Sequence, residues 1–425
     1  MRLKNNIDTI LSNLAQQVSG ALAILLVPAF LSAAEYGQVT SIVVFLSFLP
    51  FCDLGLSGVY NRKIPALLAN GDSEDAAAWN GILIRIKLWG GIGFGVLIGG
   101  TYYWKSGDLS PAPVIAGIAA AGSATSFFIS RAIAAGDFAT SKNVTMLQAA
   151  LRLAAIPGAA VLGVAGWCLG QLVASAGPLA CRQNRRRWLE DWRAAGWSAR
   201  LFRANFREAL LLGLVANLWL QMLSFGRTFA AFAYPDAVTA QYGLVSAACQ
   251  AIGSVVIAAF VPQTIKTYAL LARSRDETAA YLQRTLLWAF PAMAAVASVL
   301  ALALPPFFAH LFSAYHIPAD LIVCFALNLM CYPVLVTLGS VLVGLEKTPL
   351  YLALVIGALL VAAGGAMATD AVFGYRAAAF GQLLAVSLFA GALSAVAFVL
   401  VRGRLILLAG ALSMTPPVLY LLMVR

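Results

Sequence analysis

Apolar stretches of about twenty residues recur along the whole chain, and this recurrence limits what the chain can fold into. A helix of that length crosses the hydrocarbon core of a bilayer, which is about 30 Å thick. Of the 425 residues, 61% are hydrophobic and only 11% are charged, whereas a soluble domain carries roughly 25% charged residues. A transmembrane barrel would show shorter segments of alternating polarity, which the sequence lacks. The sequence therefore predicts an all-α, polytopic membrane protein.

Polar breaks separate the apolar segments, which fall into two sets of six. The segments lie at residues 9–31, 37–58, 81–103, 112–134, 145–165, 166–181, 208–233, 239–262, 285–306, 320–343, 350–369 and 376–400. A thirteenth candidate, residues 405–424, contains Pro416 and Pro417, which weaken a helix. The predicted domains are a six-helix bundle (1–181), a basic cytoplasmic linker (182–207), a second six-helix bundle (208–404) and an extra apolar segment (405–425). The first segment lacks a small-residue cleavage site, so we expect it to be retained and not removed as a signal peptide.

Lysine and arginine are concentrated on one side of the predicted segments. With a cytoplasmic amino terminus, the terminus and the even-numbered connections carry most of them, and the opposite connections carry little beyond Lys105 and Arg376. The positive-inside rule therefore predicts a multi-pass protein with a cytoplasmic amino terminus. The linker carries eight Arg and three Trp. We expect it either to fix the topology at the interface or to attract anionic lipid or a pyrophosphate group. A nucleic-acid partner is not expected, because the linker is not a separate domain.

The two halves of the sequence repeat each other in parallel. Asn217 and Gln221 follow Asn13 and Gln17 by 204 residues, and the pair at 242–243 follows the Tyr-Gly pair at 36–37 by 206 residues. Both copies begin on the cytoplasmic side, which predicts two six-helix bundles related by a pseudo-two-fold axis along the membrane normal. Such paired bundles are typical of transporters that work by alternating access.

Polar and cationic side chains inside the segments are the candidate substrate-binding residues. Amide side chains form stripes in segments 1 and 7, at Asn13, Gln16, Gln17, Asn217 and Gln221. Because amides facing lipid are costly, the stripes should line a cavity or join helices through hydrogen bonds. The candidate cations are Arg62, Arg85, Arg131, Arg152, Arg227 and Lys266. Those near the cytoplasmic edge could instead snorkel to the interface, whereas Arg227 lies about 28 Å along an outward-running helix.

Asp53 is the candidate coupling or gating residue. It opens the stretch DLGLSGVYNRK (53–63) and lies about 25 Å along segment 2, close to the predicted cytoplasmic surface. A carboxylate at the carboxy-terminal end of a helix is disfavoured by the helix dipole, so a cationic partner is expected. The candidates are Arg85 and Arg131, or Arg62 and Lys63 if the helix ends or bends at the glycines between. Asp53 is then a structural latch, a site of coupling to H⁺ or Na⁺, or a residue that contacts the substrate.

Enzymatic chemistry is not expected from this sequence. It has no glycine-rich phosphate loop, and its six cysteines form no CxxC pair. Its two histidines, His310 and His316, lie in or near an external loop. We therefore predict a protein that is not an enzyme and that holds neither cofactor nor metal.

Several motifs resemble one transporter family. The stretches EYGQVTSIVVFLSF (35–48) and DLGLSGVYNRK, together with Asn13, Gln17 and Pro28, resemble the polysaccharide flippases of the multidrug/oligosaccharidyl-lipid/polysaccharide exporter superfamily. Residues 226–250 are similar to the turn between segments 7 and 8 of that family, with Gly226 where relatives often carry Asp.

This resemblance implies a V-shaped pair of bundles that moves undecaprenyl-pyrophosphate-linked oligosaccharide from the cytoplasmic to the periplasmic leaflet. It also implies a location in the bacterial inner membrane, with membrane lipids as partners. A polysaccharide polymerase and glycosyltransferases are then its functional partners. The alternative is a cation-coupled drug or metabolite antiporter of the same superfamily. Such an antiporter would favour a compact apolar, aromatic or acidic pocket.

Overall fold

The computed structural model describes residues 15–424, apart from residues 17, 21, 24, 182–185, 187–189, 191, 194–196 and 272. All regular secondary structure in this part of the chain is helical, which confirms the predicted all-α fold. The chain divides into two compact units, Met1–Asn217 (unit 1) and Leu218–Arg425 (unit 2). The division falls inside one helix, Ala199–Leu223.

Seven α-helices of unit 1 have bounds that the structure describes. They are α1 (Ala33–Leu46), α2 (Leu56–Asn70), α3 (Ser73–Ser106), α4 (Ala112–Ala134), α5 (Phe138–Arg152), α6 (Ala155–Ala180) and α7 (Ala199–Leu223), which enters unit 2 at its end. Short 3-10 helices occupy Val27–Ala29 and Leu49–Asp53. Helix α1 begins at a capping box, in which Ser32 and Glu35 satisfy each other's backbone N–H groups.

The stretch labelled α6 consists of two antiparallel helical arms, which form a hairpin that turns at Gly163. Gly163 has φ 60° and ψ −136°, a conformation that only glycine adopts readily. A methyl group added to Gly158 would lie 2.4 Å from the carbonyl oxygen of Gly166, eight residues further along the chain. In a straight helix these residues would be about 12 Å apart. The hairpin accounts for the sequence prediction of two segments, 145–165 and 166–181, in this region.

A row of small residues lets α3 and α4 pack with their backbones close together. Gly91, Gly95 and Gly99 recur every four residues, so they share one face of α3. Methyl groups added to Gly95 and Gly99 would lie 2.7 and 2.8 Å from carbonyl oxygens of α4. Close packing of this kind is how helices associate without a hydrophobic driving force in lipid.

Unit 2 contains nine further helices in its described part. They are α8 (Phe225–Ala233), α9 (Asp236–Leu271), α10 (Arg275–Leu311), α11 (Ala319–Asn328), α12 (Tyr332–Gly344), α13 (Thr348–Phe373), α14 (Ala377–Val401), α15 (Arg404–Ser413) and α16 (Thr415–Val424). Short 3-10 helices occupy Ser313–Tyr315, Leu329–Cys331 and Gly374–Arg376. The core of this unit is the α11–α12 segment, of whose apolar window 94% is buried.

The predicted segment 208–233 is not one helix, because α7 and α8 are separated by a break at Ser224. Gln382 of α14 bridges this break: its side-chain nitrogen donates to the carbonyl of Leu223 (2.8 Å), and its oxygen accepts from the N–H of Gly226 (2.7 Å). The carboxamide thus replaces hydrogen bonds that a continuous helix would make within itself.

The extra apolar segment packs antiparallel to α14 along the length of that helix. Gly410 lies against Ser394, because a methyl group added to Gly410 would lie 2.5 Å from the Ser394 Cβ. Further along, the ring of Tyr420 lies 5.7 Å from that of Phe380, near the other end of α14. The end of α16 therefore lies at the opposite end of α14 from Arg402.

The chain is a multi-pass membrane protein. Ten helical stretches among the described residues are long and apolar enough to span a bilayer. One of them, Thr348–Val401, comprises 54 residues and contains both α13 and α14, and another is Arg404–Met423, the thirteenth candidate. Of the predicted first segment (9–31), residues 9–14, 17, 21 and 24 lie outside the described residues.

Candidate functional site

The helical path of the chain is interrupted by a sharp turn between Asp53 and α2, which we call the break. Leu54 (φ 53°) and Gly55 (φ 77°) both adopt left-handed backbone conformations. Gly55 is required here, because a methyl group on it would lie 2.0 Å from the carbonyl oxygen of Ala209 and 2.5 Å from the backbone nitrogen of Gly213 in α7. The prediction that the helix could end or bend at Gly55 is confirmed.

Asp53 lies at this break as the acceptor of three hydrogen bonds. Its Oδ1 accepts from the backbone N–H of Gly55 at 2.9 Å, and its Oδ2 accepts from the Ser57 hydroxyl at 2.5 Å. Its Oδ2 also lies 2.9 Å from the Nζ of Lys87, and both of these side chains are only 7% exposed. Removing either partner from such a buried ion pair leaves an uncompensated charge, which is strongly destabilising.

Lys87 joins this ion pair to α4. Its Nζ donates to the hydroxyl of Ser126 at 2.9 Å, and the hydroxyl of Ser123 donates to the backbone carbonyl of Lys87 at 2.7 Å. The Sγ of Cys52 lies 3.2 Å from the Ser123 hydroxyl. The network therefore links the 3-10 helix, α2, α3 and α4 through buried polar contacts.

The expectation that Arg85 or Arg131 would pair with Asp53 is wrong, because the partner is Lys87. The sequence carries a signal for this choice. Lys87 continues the four-residue spacing of the glycine row on α3 (residues 91, 95 and 99), so it lies on the face that packs against protein. Arg85 lies two residues earlier and therefore points to another face.

The basic residues after Asp53 bind other parts of unit 1. Arg62 forms an ion pair with Glu208 of α7, and Lys63 donates a hydrogen bond to Asn205. Arg85 donates to the carbonyl of Gly81 at 3.1 Å, and its guanidinium lies 5.2 Å from the ring centroid of Trp192 in the basic linker. These contacts join α2 and α3 to α7 and to the linker.

A cavity of about 320 Å³ lies next to the break. It is lined by Phe48, Phe51, Leu54, Gly55, Phe94, Leu210, Gly213, Leu214 and Asn217. Asn217 supplies the one polar side chain among these lining residues, and its amide nitrogen already donates to the carbonyl of Gly213 at 2.8 Å. The rings of Phe48 and Phe51 are stacked with centroids 6.3 Å apart. We call this space the aromatic cavity.

The remaining site candidates of unit 1 do not meet at the aromatic cavity. Arg131 and Arg152 are half-buried in the last turns of α4 and α5, where the helix dipole stabilises a cation. Gln16 is half-buried, and its backbone carbonyl accepts from the hydroxyl of Ser19. Asn13 and Gln17 lie outside the described residues.

In unit 2, Gln221 is buried and accepts a hydrogen bond from the hydroxyl of Thr228 at 3.2 Å. Arg227 is half-buried in α8, just beyond the break at Ser224. Lys266 is exposed, and its Nζ lies 4.6 Å from the ring centroid of Tyr281.

The ion pair has no counterpart in the second half of the sequence. With offsets of 202 to 206 residues, the repeat aligns Asp53 with residues 255–259, which are two Val, one Ile and two Ala. Helix α9 runs without a break through them, from Asp236 to Leu271. The repeated segments therefore differ at the position where unit 1 carries its buried charges. No group of three or more potential metal-ligating side chains occurs among the residues that the structure describes.

The fold is similar to that of several solved membrane transporters. A multidrug-resistance MATE family transporter of the MOP superfamily, solved in an inward-facing conformation, superposes with a TM-score of 0.72 at 16% identity, covering 92% of this chain and 94% of the other. A mutant of the Vibrio cholerae MATE transporter VcmN gives a TM-score of 0.61 at 15% identity, covering 95% and 97% of the two chains. An outward-facing MATE structure gives 0.59 at 18% identity, with 95% of each chain covered.

These solved neighbours are transporters, and at such identities the likeness is one of fold. No protein-family profile matches the sequence, and no curated protein matches it.

Proposed function

We propose that this chain is a cation-coupled antiporter that exports amphiphilic compounds by alternating access. The observation that carries the proposal is the aromatic cavity, which borders the chain break directly after the buried Asp53–Lys87 pair. The MATE fold of the solved neighbours supports it, because those proteins are described as multidrug transporters. The proposal follows the alternative that the sequence left open.

The aromatic cavity suits the apolar part of an amphiphile. Its volume of about 320 Å³ lies at the lower end of the range for small-molecule sites. Aromatic faces stack on flat ligands and attract organic cations. The amide nitrogen of Asn217 donates one N–H within α7, so its second N–H can donate to a ligand and its carbonyl oxygen can accept from one.

The surroundings of Asp53 favour H⁺ over Na⁺ as the coupling ion. The carboxylate is held by donors only: a backbone N–H, a hydroxyl and the ammonium of Lys87. A sodium ion needs several oxygen ligands, which this shell does not supply, whereas a proton needs a single lone pair. The charged side chain facing Asp53 among the described residues is Lys87 of α3; the serines of α2 and α4 and the backbone of α7 complete the surroundings.

In this proposal, protonation of Asp53 removes its attraction for Lys87 and loosens the link between the 3-10 helix Leu49–Asp53 and α3. Substrate bound in the aromatic cavity is then released when the surrounding helices move. A proton on the carboxylate and a substrate in the cavity would thus exclude each other, which is the requirement of an antiporter.

Transport in inverted membrane vesicles tests this proposal. Ethidium or tetraphenylphosphonium should dissipate a preformed proton gradient when the wild-type chain is present, and Asp53→Asn should abolish this response. Phe94→Trp, which fills the aromatic cavity, should also abolish it, whereas Leu97→Trp on the same helix should not, because Leu97 is 61% exposed. A response driven equally by a sodium gradient, or unchanged in Phe94→Trp, would contradict the proposal.

The second candidate is the flippase of undecaprenyl-pyrophosphate-linked oligosaccharide. It is favoured by the resemblance at residues 35–63 and by Arg131 and Arg152, whose guanidinium groups suit phosphate. A glycosyltransferase and a polymerase would then be its functional partners. If this candidate holds, deleting the chain should remove surface glycan, Arg152→Gln should lower its display, and ethidium should have no effect on the proton gradient.

A further inference from the structure

A second cavity, separate from the aromatic cavity, lies in unit 2. We call it the outer cavity. Its volume is about 360 Å³, and it is lined by Ala319, Asp320, Val323, Arg376 and Met423. These residues lie where α11 and α14 begin and where α16 ends. The basic ends of α10 and α14, at Arg275 and Arg402, are the opposite ends of those helices. With the predicted orientation, this outer cavity therefore opens on the extracytoplasmic side.

The polar wall of the outer cavity is an ion pair that keeps unused hydrogen-bonding capacity. The Nη1 of Arg376 pairs with Oδ2 of Asp320, and Oδ1 of Asp320 accepts from the backbone N–H of Leu321 at 2.9 Å. The guanidinium lies 5.7 Å from the ring centroid of Tyr375, and its buried Nε has no acceptor among the described residues. The Arg376 side chain is still 35% exposed and that of Asp320 16%.

The balance of charge in the outer cavity selects its ligand. An anion attracted by Arg376 is repelled by Asp320, and a cation is repelled by Arg376, so neither gains net attraction. A hydroxyl group both donates and accepts, so neighbouring hydroxyls can satisfy the guanidinium and the carboxylate together. The apolar side chains of Val323 and Met423 can pack against the C–H face of a sugar ring.

We propose that the outer cavity binds a neutral mono- or disaccharide, whose hydroxyls accept from Arg376 and donate to Asp320. The cavity volume of about 360 Å³ is near the lower limit for small-molecule sites, which fits a ligand of this size. The inference concerns a site separate from the aromatic cavity, so it stands or falls independently of the proposed antiport.

Cysteine labelling in intact spheroplasts tests the site. Cys181 is exposed and the other five cysteines are buried, so Met423→Cys is made in the full chain carrying Cys181→Ser. The control is Leu422→Cys, because Leu422 is 66% exposed and does not line the cavity. The labelling reagent is a membrane-impermeant maleimide. Glucose, N-acetylglucosamine and maltose are tested as protecting ligands, and glycerophosphocholine serves as a zwitterionic comparison.

Both cysteines should react from outside, and at least one of the three sugars should slow the reaction of Met423→Cys alone. At a sugar concentration ten times its Kd the reaction should slow by about tenfold. Asp320→Asn and Arg376→Gln should each remove the protection. The proposal is overturned if no sugar protects, if the control is protected equally, if glycerophosphocholine alone protects, or if neither cysteine reacts from outside.

Discussion

The buried Asp53–Lys87 pair makes a quantitative prediction about stability. Asp53→Asn or Lys87→Met alone should each lower the free energy of unfolding by about 3–5 kcal/mol, because each leaves one uncompensated charge in a low-dielectric site. The double variant should recover most of this loss, since neither charge remains. The two residues should therefore couple by about 3 kcal/mol or more in a double-mutant cycle. Denaturation of the purified protein in mixed SDS–detergent micelles measures the four free energies.

The ion pair between Arg62 and Glu208 is the matched control for this cycle. It lies in the same unit, but its side chains are 58% and 39% exposed, whereas those of Asp53 and Lys87 are both 7% exposed. Solvent screens an exposed pair, so Arg62→Gln and Glu208→Gln should couple by less than about 1 kcal/mol. If the Asp53–Lys87 cycle gave a coupling as small as the control cycle, the argument from burial would be refuted.

The effects of three further substitutions on stability should be measured from the melting temperature of the detergent-purified protein. Gly55→Ala should destabilise the protein by more than about 2 kcal/mol, because Gly55 combines a positive φ with a close backbone contact. The control Gly58→Ala should be near neutral, because the nearest atom to a methyl group there is 4.0 Å away. Equal effects of the two substitutions would count against the close approach of α7. Gly163→Ala should lower the melting temperature, and Gly100→Ala should not, since nothing lies within 4 Å of a methyl group there; a silent Gly163→Ala would rule out the hairpin turn. Gln382→Leu should lower the free energy of unfolding by about 2–4 kcal/mol, because it leaves two backbone groups unsatisfied at the α7–α8 break. A variant as stable as the wild type would show that water satisfies these groups.

Hydropathy predicted the membrane-spanning parts well, because the energy of burying apolar side chains in lipid depends on composition alone. The predicted segment 112–134 coincides with α4, Ala112–Ala134. The helices themselves extend further than the apolar windows. Helix α3 has 34 residues, which is about 51 Å, and α7 begins at Ala199. Charged residues at these ends lower the hydropathy without lowering helix propensity, so a hydropathy window ends before the helix does.

The contacts of the site depended on information that hydropathy does not carry. Counting residues predicts how deep Asp53 lies in the membrane, but the choice of Lys87 over Arg85 depends on which face of α3 meets its neighbours. The glycine spacing on α3 holds that information, and it becomes readable only when cation and glycines are considered together. The break between α7 and α8 could not be foreseen, because Gln382, which bridges it, lies more than 150 residues away in the sequence.

The unbroken α9 has a consequence for how this protein could have evolved and how it can be engineered. After an internal duplication, both copies of a segment begin with the same residues, and either could have kept a charged break. Only the first copy has one among the described residues, so the two halves are not interchangeable parts. A chimaera carrying the first half twice would hold a second carboxylate–ammonium pair in place of Val, Ile and Ala. With Asp53 as the coupling residue, as proposed above, such a protein should respond to two protons per cycle and the native chain to one.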